Sequence, residues 1–306
     1  LMAVDFFTFA HPYMLTFDPR QDGLTPGALE VLRKEPQPFR YARGTSLKLP
    51  AGEGMVTGLD CLEGIEPNVP ARFRKAFWMA QLDLPPGEIP SPEWTPPATT
   101  MYYLMGIAPA LRVMNLTHLV QYTDSDLVPM RGAREVYRDS RIRIICLPSP
   151  YPRAWIVHRA RVVQSPDDAC AMLATPSRWH YEREAIFEAP PACPLALPRL
   201  ADPTPRFIRY GADHVVIEAD PAADGLLIVS DLFYPGWEAA VDGRPVGILR
   251  ANYLMRAIPV PAGKHIIEMR YDPRSFKIGL ILSALGCVAV AGLLWTHRRR
   301  SRLTRK

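Results

Sequence analysis

Seven histidines are the first residues to consider for chemistry, because imidazole is the commonest protein ligand of zinc. No two of them have the i, i+4 spacing that places two rings on one helix face, and no HExxH motif is present. The sequence therefore predicts no metal site. The histidines are His11, His118, His158, His180, His214, His265 and His297.

Paired acids are the second source of chemistry. Asp124-Ser-Asp126 follows a predicted strand, where it can bind a metal or act as a base, but a turn with Asx hydrogen bonds is the favoured interpretation. Asp167-Asp168 fits the first turn of a helix, where carboxylates interact favourably with the helix dipole. Ser230-Asp231 lacks a GxSxG context, and Gly52-Glu-Gly54 lacks the features of a phosphate loop. We therefore predict no catalytic residue and no cofactor.

Aromatic residues in Tyr234-Pro-Gly-Trp237 offer flat faces of the kind that contact sugar rings. The favoured interpretation is a corner between two strands, with Trp237 packed into a core. The five cysteines, of which Cys287 lies in an apolar stretch, form no CxxC pair. Disulfides between the other four and inert, half-buried thiols both remain open.

An uncharged stretch near the C-terminus organises the chain. Residues 278–295 would span about 27 Å as a helix, close to the hydrocarbon thickness of a bilayer. The tail 297–306 then carries six Lys and Arg and no acid. We predict a transmembrane helix over 276–296, a basic cytoplasmic tail, and an extracytoplasmic location for residues 1–275. The alternative, a buried core helix with a nucleic-acid-binding tail, is disfavoured because soluble helices are rarely apolar all round.

The charge distribution agrees with this topology. The formal net charge is +5 and the tail contributes +6, so the remainder carries −1. The basic pI is therefore a sign of topology, and we predict no nucleic-acid partner. The first ten residues have no basic region typical of a signal peptide and are too short to span a bilayer. We expect the chain to be the C-terminal piece of a longer membrane protein. A tail-anchored protein with a cytoplasmic domain is the alternative, and it violates the charge rule.

Residues 1–200 alternate helical and strand patterns, which predicts a mixed α/β region. A Pro-rich linker over 189–205 marks the expected domain boundary. Two helices have clear start signals, Thr25 before Pro26 and Ser165 before Pro166. Further helices are predicted over 70–82 and 102–115. The predicted strands are 39–43, 117–122, 142–147 and 155–163.

Residues 206–273 show short strands at regular spacing, typical of an antiparallel β-sandwich. Asp242-Gly243 is a strong hairpin signal because both positions tolerate positive φ. We therefore predict an α+β fold: the mixed region, then the sandwich, then one transmembrane helix. The predicted strands are Arg206–Tyr210, His214–Ala219, Leu226–Asp231, Trp237–Val241, Val246–Arg250, Leu254–Ile258 and Lys264–Tyr271.

Four segments of this part, together with the helix that follows, resemble the C-terminal end of the YfhO family of bacterial polytopic membrane proteins. They are Leu227 to Gly243, Arg250 to Arg256, Val260 to His265 and Tyr271 to Phe276. Upstream, Pro152 to Val157 and Leu111 to Val120 are also similar, except that His118 stands where the family has an aromatic residue.

The resemblance implies a relation to glycosyltransferases that move sugars from polyprenyl-phosphate carriers in the cell envelope. The family's catalytic acid lies in an early external loop with no counterpart here, so we expect this part to be non-catalytic. Its partners would be the lipid bilayer, a polyprenyl-phosphate sugar donor and upstream transmembrane helices of the same protein. The candidate substrate-binding residues are Arg250, Arg256, Arg270, Arg274, Tyr234 and Trp237.

Two other functions remain open. One is a surface-displayed module that binds sugars or acts as a scaffold without catalysis. The other is a component for transport or assembly of envelope polymers.

Overall fold

A computed structural model describes residues 23–36, 38–43, 54, 57–62, 70–73, 75–76, 112–124, 132–174 and 179–303. These residues form several β-sheets with a few helices, which confirms the predicted α+β class. The helices are α1 (Pro26–Lys34), α2 (Pro166–Ala174) and α3 (Arg274–Leu303).

The first sheet has the strand order β2-β1-β3-β5-β4. Strand β1 is parallel to both of its neighbours, whereas the β3–β5 and β5–β4 pairs are antiparallel. Helix α1 covers this sheet with Ala28 and Leu32, both fully buried, and begins at the predicted cap, where the Thr25 hydroxyl accepts a hydrogen bond from the Ala28 N–H. The strands are β1 (Arg40–Arg43), β2 (Asp60–Cys61), β3 (Leu116–Tyr122), β4 (Arg134–Arg138) and β5 (Ile142–Cys146).

Asp139 connects this sheet to α1. Its carboxylate accepts hydrogen bonds from the Thr25 hydroxyl at 2.6 Å, the Tyr137 hydroxyl at 2.8 Å and the backbone N–H groups of Arg141 and Ile142, both at 2.7 Å. Partial burial would raise the pKa of Asp139, but these donors outweigh it and lower the pKa to about 2.

Asp139→Asn is expected to destabilise the chain at neutral pH, because an amide cannot accept this set of hydrogen bonds as a carboxylate does. The pKa of Asp139 is lowered on folding, so its stabilisation is present above the unfolded pKa of about 4 and disappears as pH falls towards 2. Urea unfolding at pH 7 should give the variant a free energy of unfolding about 1–2 kcal/mol lower than that of the parent protein. Near pH 2.5 this difference should be smaller. An equal difference in the free energy of unfolding at both pH values would contradict this account.

The β-sandwich consists of two antiparallel sheets, ordered β13-β12-β16-β10-β9 and β14-β15-β11-β6. Inward-facing apolar side chains from both sheets, among them Ile217, Leu227 and Ile267, are fully buried between them. The strands are β6 (Ala154–Val157), β9 (Arg206–Tyr210), β10 (His214–Ala219), β11 (Gly225–Leu232), β12 (Trp237–Val241), β13 (Arg244–Val246), β14 (Leu249–Ala251), β15 (Met255–Val260) and β16 (His265–Tyr271).

Two strand predictions differ from the structure. Residues 155–163 form two strands: β6 pairs with β11 in the sandwich, while β7 (Arg159–Val162) pairs in parallel with β8 (Glu184–Phe187). The break is at His158, whose ring nitrogens contact the Asp224 carbonyl at 3.1 Å and the Asp202 carboxylate at 2.8 Å. The predicted strand over 246–250 is likewise divided between β13 and β14, because the chain crosses there from one sheet to the other.

The sandwich therefore includes a strand from before the Pro-rich linker, in addition to residues 206–273. Whether the linker separates two domains stays a prediction. The remaining predicted helices, over 70–82 and 102–115, and Asp126 lie largely or wholly outside the described residues.

The β12–β13 turn confirms the Asp242-Gly243 prediction, with φ of 49° and 77° at its two central residues. Asp242 also accepts a hydrogen bond from the Ile266 N–H at 2.9 Å and pairs with His265 at 2.6 Å. Replacing both turn residues by alanine should lower the free energy of unfolding by about 2–4 kcal/mol. Gly243→Ala places a Cβ at positive φ, at about 1–2 kcal/mol, and Asp242→Ala removes the contacts with Ile266 and His265, at about 0.5–1.5 kcal/mol each. Thermal melts of the double variant would check this prediction, with Asp220→Ala, a change in an exposed loop, as the control. Equal melting temperatures for the two variants would contradict the prediction.

Helix α3 is long and apolar enough to cross a membrane. The stretch Arg274–Gly292 has a mean hydropathy of 1.8, and none of it is buried against the rest of the protein. A soluble protein would bury such a surface in its core, so this exposure agrees with the predicted transmembrane helix.

Candidate functional site

The sandwich joins helix α3 through two residues only. Strand β16 ends at Tyr271, and α3 begins at Arg274. Strand register places Trp237 opposite Tyr271. The end of the sandwich that contains these two residues therefore lies next to α3, and we call it the α3 end.

A tight loop at the α3 end, residues 233–236, is attached to this junction. The Asp272 N–H donates a hydrogen bond to the Gly236 carbonyl at 2.7 Å. Gly236 has φ of 103°, and a Cβ there would lie 2.9 Å from the Tyr271 ring and 3.0 Å from Pro273. Only glycine fits both the backbone conformation and the space.

Aromatic rings cover the same end. The Tyr271 ring lies 5.5 Å from the Trp237 ring and 6.4 Å from the Tyr234 ring, measured between centroids. Trp237 is half-buried against the sandwich core, whereas Tyr234 is exposed. The predicted strand corner is therefore confirmed, and Tyr234 is the exposed member of these three rings.

Arg256 lies directly behind Trp237. Its guanidinium carbon is 3.8 Å from the Trp237 ring centroid, and its Nε donates to the Leu232 carbonyl at 2.9 Å. The side chain is buried, which lowers the pKa of Arg256 because the charged form loses hydration. Its Nη1 is 3.8 Å from Asp231 Oδ2. Arg256 thus faces inward, towards a carboxylate.

Asp231 is the centre of a buried charged group that we call the Asp231 cluster. Its Oδ1 is 2.9 Å from Arg40 Nη2 and 2.7 Å from Arg153 Nη2. Arg153 also contacts the Asp60 carboxylate at 2.7 Å and the Tyr210 hydroxyl. The members are Arg40, Asp60, Arg153, Tyr210, Asp231 and Arg256.

Hydrogen bonds connect the remaining members. The Tyr210 hydroxyl donates to Asp60 at 2.8 Å, and Arg40 Nη1 donates to the Met114 and Ser230 carbonyls at 2.8 and 2.7 Å. Because Arg40 and Asp60 belong to the first sheet while Tyr210 and Asp231 belong to the sandwich, the cluster joins these two parts of the fold.

The electrostatics hold Asp231 ionised. Burial would raise the pKa of Asp231, but the charges of Arg153, Arg40 and Arg256 outweigh it and lower the pKa. Three guanidinium groups face two carboxylates, so the cluster carries one excess positive charge. An acid held in this way is a structural counter-ion and a poor proton acceptor at neutral pH.

The other predicted binding arginines also lie at the α3 end. Arg250 is the cross-strand partner of Arg256 but is exposed, with its guanidinium 4.6 Å from the Phe233 ring centroid. Arg270 is exposed and pairs with Glu268 at 2.8 Å. Arg274 begins α3 and is exposed. The structure therefore gathers the predicted set at one end, with Arg256 inside and the other arginines outside; phosphate binding by them stays a prediction.

The acids of the two predicted pairs that the structure describes lie at a helix start and in a turn. Asp168 accepts a hydrogen bond from the Ser165 hydroxyl at 2.7 Å, and Asp167 pairs with Lys75 at 2.6 Å, as a helix first turn predicts. Asp124 is exposed in a turn. Within the described ranges, no group of three or more His, Cys, Asp or Glu side chains is placed to hold a metal ion.

The structure describes all five cysteines, and none of them is in a disulfide bond. Burial raises the pKa of Cys170 to about 11, which makes that thiol unreactive at neutral pH. The interpretation of inert thiols is the one that the structure supports.

Sequence analysis missed the Asp231 cluster. Its members come from segments that are far apart in the chain, and local patterns contain no sign of their contact. The one available signal was the pair Ser230-Asp231 after the apolar run of β11.

Comparison with known proteins agrees with this arrangement. No curated protein and no solved structure matches the chain. Residues 208–283, which contain most of the sandwich and the start of α3, match the family described as bacterial membrane protein YfhO. The part of the chain that carries the α3 end is therefore similar to a bacterial membrane protein family and, through the apolar helix α3, associates with a membrane.

Proposed function

We propose that this chain is the C-terminal extracytoplasmic module of a polytopic membrane protein that resembles polyprenyl-phosphate-dependent glycosyltransferases. The complete protein would modify glycans or glycolipids of the cell envelope. The module shapes the substrate cleft at the membrane surface and leaves the chemistry to upstream segments.

The observation that carries this proposal is the two-residue junction between β16 and α3. It keeps the α3 end close to the bilayer surface, where the phosphate of a lipid-linked sugar must lie. Arg250 and Arg274 are exposed there, beside the exposed ring of Tyr234. Guanidinium groups bind phosphate oxygens through paired hydrogen bonds, so these residues are suited to contact a carrier phosphate.

The orientation follows from the charges that flank α3. Six Lys and Arg follow the apolar stretch, against Arg274 and Lys277 before it. The positive-inside rule then places the tail in the cytoplasm and the sandwich outside.

The assignment of a non-catalytic role rests on the environment of the acids. Glycosyl transfer needs an accessible carboxylate base or a metal beside the donor phosphate. Asp231, the buried acid nearest to the predicted site, is already engaged by Arg40 and Arg153.

The test is binding of fluorescently labelled polyprenyl phosphate to the full chain in nanodiscs. The double variant Arg250→Glu/Arg274→Glu should raise Kd at least about tenfold, because two attractive charges become repulsive. The matched control is Arg209→Glu/Arg244→Glu, which makes the same charge change at two exposed positions outside the predicted set. Equal Kd values for both variants would overturn the carrier-binding role. Sugar transfer by the chain alone would overturn the non-catalytic assignment.

A second candidate function, a displayed sugar-binding module, is favoured by a groove along strand β6. Two clefts of about 490 and 280 Å³ share Pro152, Trp155 and Glu182 as lining residues. Tyr151 and Tyr181 line the smaller one, with their rings 4.0 Å apart between centroids. Glycan-array binding by the full chain that Tyr151→Ala removes would favour this function over the first.

A further inference from the structure

We propose that the loop 233–236 and the first turn of α3 together form a docking surface for the lipid headgroup layer, with the Tyr234 ring inserted at the boundary between headgroups and acyl chains. The proposal rests on α3 crossing a bilayer and is independent of the carrier-phosphate role. Its partner is the bilayer that α3 crosses.

The loop has a fixed position relative to the helix. The hydrogen bond from Asp272 N–H to the Gly236 carbonyl, at 2.7 Å, joins the loop to the two-residue junction. Lys277, in the first turn of α3, pairs with Asp272 on the same junction. When α3 lies in a membrane, the position of the loop relative to the bilayer surface is therefore fixed as well.

The surface that results is apolar and aromatic. Tyr234 is 49% exposed and Phe276 is 69% exposed, although both are large side chains that water solvates poorly. Pro235, between Tyr234 and Gly236, is also exposed. Tyrosine is enriched at membrane interfaces because its ring is apolar while its hydroxyl stays hydrated.

Cationic groups surround this surface. Arg274 begins α3, and the exposed Arg250 stacks on Phe233 of the same loop, whereas the charge of Lys277 is balanced by Asp272. Exposed cations at this level are attracted to anionic headgroups. Apolar side chains that insert into the bilayer surface, with cations beside them, are typical of peripheral membrane contacts.

Docking at a second point would fix the tilt of the sandwich. A helix alone can tilt in the bilayer, and the sandwich would tilt with it. A loop inserted beside the helix removes that freedom, so the Asp231 cluster, whose Arg256 lies behind Trp237, stays at a constant height above the membrane.

The test is photocrosslinking with benzoylphenylalanine introduced singly in place of Tyr234, Phe276 or Ile266. Phe276 is the positive control, because it lies in the membrane helix. Ile266 is the matched negative control: it is 38% exposed and apolar, but it lies at the opposite end of β16. The full chain would be reconstituted in vesicles of phosphatidylglycerol and phosphatidylethanolamine, irradiated, and examined by intact mass spectrometry.

Lipid adducts at positions 276 and 234, with at least fivefold less at 266, are the expected result. Adduct yields at 234 that equal those at 266 would overturn the proposal. Adducts at 234 to protein only would also overturn it, in favour of a contact with another chain. Polyprenyl phosphate is absent from these vesicles, so either outcome leaves the carrier-phosphate experiment unaffected.

Discussion

Asp231→Ala is expected to lower the free energy of unfolding by about 3–5 kcal/mol, because it removes the carboxylate that compensates buried guanidinium groups. Arg40 and Arg153 would lose a partner at 2.9 and 2.7 Å and remain buried with their charges. Arg256 would lose its nearest described carboxylate. The change also weakens the contact between the first sheet and the sandwich.

Chemical unfolding in detergent, followed by tryptophan fluorescence, would measure this loss. Asp213→Ala is the control, because Asp213 is an exposed aspartate near the same end of the sandwich. It should change stability by less than about 0.5 kcal/mol. A loss below about 1 kcal/mol for Asp231→Ala would mean that the arginines are not dependent on this carboxylate.

A second variant at this position, Asp231→Asn, should show a pH dependence of defined sign. The pKa of Asp231 is lowered in the folded protein, so its contribution is present above the unfolded pKa of about 4 and is lost as pH falls through the lower folded value. The stability difference between the parent protein and Asp231→Asn should therefore be full at pH 7 and shrink below pH 4.

Gly236→Ala is expected to be the most damaging of three glycine substitutions in the sandwich. It forces a side chain into positive φ, at about 1–2 kcal/mol, and places a Cβ against Tyr271 and Pro273, at about 1–3 kcal/mol more. Gly243→Ala has positive φ but open space, so only the first cost applies. Gly247→Ala has neither feature and should be close to neutral.

Thermal melts of the three variants would establish this order. The Gly236 variant should also increase hydrogen exchange at the Asp272 amide, which donates to the Gly236 carbonyl. Equal melting temperatures for Gly236→Ala and Gly243→Ala would contradict the close packing at the junction.

Much of the sandwich was predictable because its signals are local. Alternation in β16 and the positive-φ pair Asp242-Gly243 depend on residues adjacent in the chain. The same holds for the helix starts at Thr25 and Ser165, where a side-chain oxygen accepts a hydrogen bond from an amide three residues later. The membrane helix was predictable from uninterrupted apolar length.

The features that sequence analysis missed depend on contacts between distant segments. Strand β6 reads as the start of one longer strand, and only its pairing with β11 shows that it belongs to the sandwich. Arg256 has the sequence context of an exposed cation, and its burial follows from Trp237 and Asp231, which lie on other strands. Local patterns identify the strands but not the partners of their polar side chains.

The claim that the sandwich lies outside the cytoplasm, anchored by α3, is tested most directly by labelling a cysteine at Asp242. This residue is exposed at the end of the sandwich opposite α3. Intact cells that express Asp242→Cys would be treated with a membrane-impermeant maleimide, and the parent protein would report labelling of the native cysteines. Strong labelling of Asp242→Cys before lysis, above the parent level, is the predicted result. Labelling that appears only after lysis would place the sandwich in the cytoplasm and contradict the account.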